Sequence, residues 1–97
     1  MKNLVVSEKA FDDLLAILRH IARDKPQVAV AFVDKLQEQC KFLALCPESG
    51  TIRDDLAPGV RVFTYRGYGI YFRNLPDRVR IDRVLPPGLD ISQQSFD

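Results

Sequence analysis

The sequence is poor in the residues that build metal centres and disulfide frameworks. Its 97 residues include one histidine, His20, two cysteines, Cys40 and Cys46, and no tryptophan. The cysteines have neither CxxC spacing nor a neighbouring histidine, which removes zinc-ribbon and redox-motif readings. No apolar stretch approaches the ~18 residues of a membrane span. The apolar run within Met1–Ser7 is too short for a signal peptide, so a cytoplasmic location without membrane contact is expected. In that compartment both thiols should be reduced, and Cys40 buried. Gly67-Tyr68-Gly69 is too short for a phosphate loop. Asp12-Asp13 and Asp54-Asp55 are sequence neighbours. On a helix such neighbours diverge, and on a loop they suit solvation better than acid–base work. His20 reads as a partly exposed surface residue. No catalytic residue, metal ligand or cofactor follows from this inventory, and there are no repeats.

The chain length corresponds to one domain, residues 1–97, with 89–97 read as a loose tail. A domain this size buries one modest core and encloses no deep pocket as well. No small-molecule ligand is expected, and function should sit on a surface or need a partner. Lys2–Val6 reads as a strand, and Ser7 as the N-cap of a helix whose first turn holds Glu8. Phe11, Leu14, Leu15, Leu18, Ile21 and Ala22 make one apolar stripe at helical period. Pro26 opens a second helix. Its stripe is Ala29, Phe32, Val33, Leu36, Cys40 and Leu43, and Pro47 and Gly50 stop it. Leu14, Leu18, Phe32 and Leu36 should be largely buried. A loop with possible short extended stretches runs to Pro58-Gly59. Strands follow over Val60–Tyr65, Ile70–Arg73 and Val79–Leu85, joined by short turns that favour antiparallel neighbours. The expected fold class is α+β: an N-terminal strand, an antiparallel helical hairpin, then a three-stranded antiparallel segment, forming one small sheet. The helices cover one face and leave the other open.

The net charge of +1 hides an asymmetry. Residues 60–85 hold six arginines, at 61, 66, 73, 78, 80 and 83, against Asp77 and Asp82, a net of +4. Two readings compete. One is a solvated face with local Arg–Asp pairs. The other is a positive surface for an acidic protein segment or nucleic acid, to which arginine brings its fork geometry. Phe63, Tyr65, Tyr68, Tyr71 and Phe72 lie in the same block, either as sheet packing or as stacking platforms.

Several stretches together resemble the ParE side of the RelE/ParE toxin superfamily. Ser7-Glu8-Lys9-Ala10-Phe11-Asp12-Asp13-Leu14 resembles its strand-to-helix opening, and Pro47-Glu48-Ser49-Gly50 its proline-containing turn. Pro58-Gly59-Val60-Arg61-Val62-Phe63 is similar to its glycine–any–arginine start of the sheet. Gly69-Ile70-Tyr71-Phe72-Arg73 and Arg80-Ile81-Asp82-Arg83-Val84-Leu85 resemble its central strands. The resemblance spans about residues 3–88. It implies the toxin of a type II toxin–antitoxin pair, neutralised by a cognate antitoxin protein.

The two branches of that superfamily differ in mechanism. RelE-like members cut messenger RNA on the ribosome. They carry a basic residue early in the second central strand, and basic and tyrosine residues after the last strand. This chain has Gly69-Ile70 at the first place and Pro86-Pro87-Gly88-Leu89-Asp90 at the second. A metal-free ribonuclease needs acid–base groups converging on one phosphate, so the resemblance points away from an enzyme. ParE-like members inhibit DNA gyrase, which implies gyrase as the target. Many of them have a histidine-glycine and an arginine after the last strand, and this chain has neither. The ribosome-dependent ribonuclease and a non-toxic member that only binds antitoxin are the alternatives. Arg61, Arg73 and Arg80 are the candidate antitoxin contacts; Arg78, Arg80 and Arg83 are the candidate target contacts.

Overall fold

The computed structural model describes residues 2–96. Strand β1 (Asn3–Val6) leads through Ser7 into helix α1 (Glu8–Ala22). The Ser7 hydroxyl accepts from the Ala10 N–H at 3.1 Å, the expected N-cap. Helix α2 (Pro26–Leu45) starts on Pro26, whose missing N–H costs nothing in a first turn. The loop that follows holds a single 3-10 turn, Pro47–Ser49, and a two-residue strand, β2 (Thr51–Ile52). Then come β3 (Val60–Tyr65), β4 (Tyr68–Asn74) and β5 (Arg78–Leu85). The β3–β4 hairpin turns on Arg66 and Gly67, both at positive φ (50° and 84°), as a two-residue hairpin loop requires.

The sheet has five strands in the order β1-β5-β4-β3-β2 and is mixed. This corrects the smaller sheet expected from the sequence. β1 pairs with β5 in parallel, and every other pairing is antiparallel. The reason is one of parity. The two tight turns reverse the chain twice, so β5 runs with β3. The helical hairpin returns the chain to start β3 in the direction of β1.

The main core lies between the hairpin and one sheet face. Leu14 and Ile17 of α1, with Leu36, Cys40 and Leu43 of α2, cover Ile70, Phe72, Val79, Ile81 and Val84. Fully burying one such side chain stabilises the fold by roughly 1.5–3 kcal/mol. The α1 stripe is rotated from its expected position. Ala10, Leu14 and Ile17 are buried, Leu18 is half-buried, and Phe11 is 53% exposed. Phe32 is also half-buried, against Tyr65 and Tyr68. Both apolar rows of α1 have helical spacing, and the one ending in small Ala10 allows the closer approach to the sheet.

The second sheet face is not left open. Val60, Tyr71, Leu85 and Phe96 form a smaller cluster there, with Leu56, Ala57, Val62 and Ile91 against it. Phe96 is 4% exposed, and its ring centroid lies 4.9 Å from that of Tyr71. The tail expected to be loose is therefore docked. Sheet residues on this face are large and apolar enough to need a cover, and Phe96 supplies one.

Candidate functional site

The arginine block divides between the two sheet faces. Arg61 is opposite Phe72 in register, so it shares the helix-covered face. There it donates to the Gly50 carbonyl at 3.0 Å. Arg73 and Arg80 are register partners on the other face. The three candidate antitoxin contacts are thus not brought together: Arg61 stands apart from Arg73 and Arg80.

Arg73 and Arg80 converge instead on Asp82, whose side chain is 1% exposed. Arg73 Nη1 donates to Oδ2 and Arg80 Nε to Oδ1, both at 2.8 Å. A buried carboxylate needs such partners. Asp82 sits where the β4–β5 register slips, because Tyr71 opposes Arg83 while Phe72 opposes Ile81. The slip has a trace in the sequence. Val79 and Ile81 alternate correctly as core residues, and the next core residue is Val84, one position late.

Arg83 is also occupied. It forms a two-pronged pair with Asp13, Nε–Oδ2 at 2.7 Å and Nη2–Oδ1 at 2.9 Å, and each side chain is 14% exposed. The Asp13 hydrogen bond holds the guanidinium pKa above its ordinary value. Arg83 Nη1 also donates to Gln94 Oε1 at 3.2 Å and to the Ser95 carbonyl at 3.3 Å, tying down the tail. Asp13 further accepts from the Val84 N–H at 3.0 Å. That N–H lies on the edge of β5 beyond the reach of β1, which ends its pairing at Ile81.

Asp13 was read from the sequence as one of two diverging helix neighbours with no role in acid–base work. Its place four residues before buried Ile17, on the flank of the inner stripe, is the signal that separates it from Asp12. Arg78 pairs with its neighbour Asp77, at 3.0 Å. Arg66 lies over the Tyr65 ring at 5.7 Å. Among the described residues, four of these six arginines are thus engaged with aspartates, and the sheet aromatics are engaged in packing.

Other surfaces carry different chemistry. Phe11, Val28, Val30 and Leu45 stand exposed on the helices, and Val5 and Val6 on the edge strand β1. Burial pushes the Cys40 thiol up to about 11. Among the described residues no group of three or more His, Cys, Asp or Glu is placed to hold a metal ion. Among the described residues no helix is long and apolar enough to cross a membrane.

The result is a two-layer α+β protein with an arginine-rich sheet and with exposed apolar residues on its helical hairpin and on edge strand β1. The family model for the ParE toxin of the type II toxin–antitoxin system parDE matches residues 4–87. The chain belongs to this ParE toxin family. It is also similar to a solved structure described as the chromosomal ParDE TA system from P. aeruginosa. The identity there is 30%, over 90% of this chain and 97% of that one, with a TM-score of 0.79. Among curated proteins no sequence matches.

Proposed function

We propose that this toxin acts by binding and inhibiting DNA gyrase, and that a cognate antitoxin neutralises it by covering its exposed apolar surface. The observation that carries this reading is the ParE match over residues 4–87. The protein then works as a binding protein without a catalytic step, in the cytoplasm where both partners reside.

The surface supports two kinds of contact. Phe11, Val28, Val30 and Leu45 offer apolar anchors to an antitoxin segment, and β1 offers a free strand edge beside Val5 and Val6. Arg61 on the helix face, and Arg73 and Arg80 on the other, would receive its acidic residues if it wraps round the sheet. For the target, Arg78 and Arg80 share one face two residues apart and are the more exposed of the paired sheet arginines, at 40% and 29%. Arg83 contributes by holding the tail on the same sheet face, toward the other end of β5. Attraction of this kind weakens with salt, since exposed charges are screened beyond about 8–10 Å at physiological ionic strength.

The test is growth arrest on expression of the chain alone, compared with an Arg78→Glu/Arg80→Gln variant. Glutamine at 80 avoids setting a second carboxylate against Asp82, which keeps Arg73 as a partner. The expected result is weaker arrest by a variant with unchanged circular dichroism. Full arrest by the folded variant would remove the arginine surface from the account.

A further inference from the structure

Between the second half of α1, the ends of the central strands and the tail lies an open-sided cavity of about 390 Å³. Small-molecule sites span about 300–1,000 Å³. A chain this short was expected to enclose no deep pocket, and this one is shallow enough to stay open on one side. Docking of the tail makes one, because Leu89 and Gln94 supply a wall that the sheet alone lacks. The remaining walls are mostly apolar, from Ala16, Ile17, Val84, Leu85 and Pro86.

The polar groups at this cavity are unequally spent. Asp13 already accepts from two Arg83 nitrogens and from the Val84 N–H. Gln94 turns its Oε1 to Arg83, and arginine only donates, so the Gln94 amide NH₂ is left facing away from the guanidinium. Among the described residues the His20 ring and the Tyr68 hydroxyl, both lining the cavity, have no hydrogen-bond partner. Arg23 follows His20 by three residues at the end of α1, on the same helix face. It forms no ion pair among the described residues. The groups with hydrogen-bonding capacity left are thus the Gln94 amide donor, the His20 ring and the Tyr68 hydroxyl, around an apolar interior.

We propose that this cavity binds a small carboxylic acid with an apolar body, an alkyl or arylalkyl acid of roughly 10–15 heavy atoms. The body lies against Ile17, Leu85 and Leu89. The carboxylate accepts from the Gln94 amide and the His20 ring. The site is separate from the Arg78–Arg80 face, and its occupancy does not depend on the identity of the toxin's target.

The test uses the intact chain, isotope-labelled for NMR, with hydrocinnamate as probe and hydrocinnamyl alcohol as its neutral match. Hydrocinnamate should give saturable shifts of the Ala16, Ile17 and Leu89 amides, with a Kd of about 1 mM. The alcohol should bind about tenfold or more weakly, because it lacks charge-assisted hydrogen bonds. Ala16→Trp, at the exposed mouth, should abolish the saturable shifts. Gln94→Glu, which removes the amide donor without changing the size, should weaken the acid and spare the alcohol. Non-saturating shifts, shifts located away from the cavity, or equal binding of acid and alcohol would each overturn the proposal.

Discussion

Replacing Asp13 by alanine should loosen α1, the end of β5 and the tail together, because one carboxylate joins all three. The magnitude follows from its contacts. Asp13 accepts two hydrogen bonds from Arg83 and one from the Val84 N–H, at 2.7, 2.9 and 3.0 Å. Breaking a fully buried ion pair from one side costs about 3–5 kcal/mol. Both side chains here are 14% exposed, so the lower part of that range applies. The Val84 N–H loses its acceptor as well, worth about 1–3 kcal/mol if it stays dry, but the open cavity beside it admits water. The expected cost is therefore about 2–4 kcal/mol, measured by urea denaturation. For a domain of this size that lowers Tm by roughly 10–25 °C. Asp13→Asn keeps an acceptor for Val84 and should cost less than alanine. Lys35→Ala is the internal control. Its pair with Glu38 spans 4.0 Å with both side chains about 60% exposed, and should be worth under about 0.5 kcal/mol. An Asp13→Ala variant as stable as that control would refute the three-way clamp.

Gly50→Ala should destabilise the fold by about 1–3 kcal/mol in the same assay, since its Cβ would lie 2.4 Å from Phe72 Cζ and 3.1 Å from Arg61 Cβ. Phe96→Ala should cost roughly 3 kcal/mol and speed proteolytic removal of the tail; unchanged digestion would mean that the Tyr71 contact does not hold it. The Cys40 thiol is raised from 9.0 to about 11, so the folded state holds its proton more tightly than the unfolded chain. This contribution is intact below pH 9.0 and is lost as pH rises toward about 11, by about 1.4 kcal/mol per unit. A Cys40→Val variant followed over the same range should lack that component, and identical pH profiles would contradict it.

Local features of the fold were legible in the sequence because single residues signal them: Ser7 as a cap, Pro26 as a helix start, Gly67 as a hairpin turn. The parallel β1–β5 pairing was not, because it depends on counting chain reversals across the whole molecule. The rotation of the α1 stripe was hidden by two apolar rows of equal period, which only the approach of the sheet distinguishes. The arginines were visible as a block, but their pairing was not. Arg83 reaches Asp13 across 70 residues of chain. Asp82 is the shared partner of Arg73 and Arg80, a convergence that depends on how β4 pairs with β5. The tail looked polar and loose, yet a single aromatic residue, Phe96, is enough to seat it on an apolar face that the helices do not reach.

The most direct measurement of the central claim is a DNA gyrase supercoiling reaction with the purified chain, run beside a programmed-ribosome messenger RNA cleavage reaction. Loss of supercoiling with trapped cleaved DNA, and intact messenger RNA, is the result expected of a gyrase-directed ParE toxin. Full supercoiling activity at saturating chain, or site-specific messenger RNA cleavage lost in an Arg83→Ala variant that still folds, would contradict it.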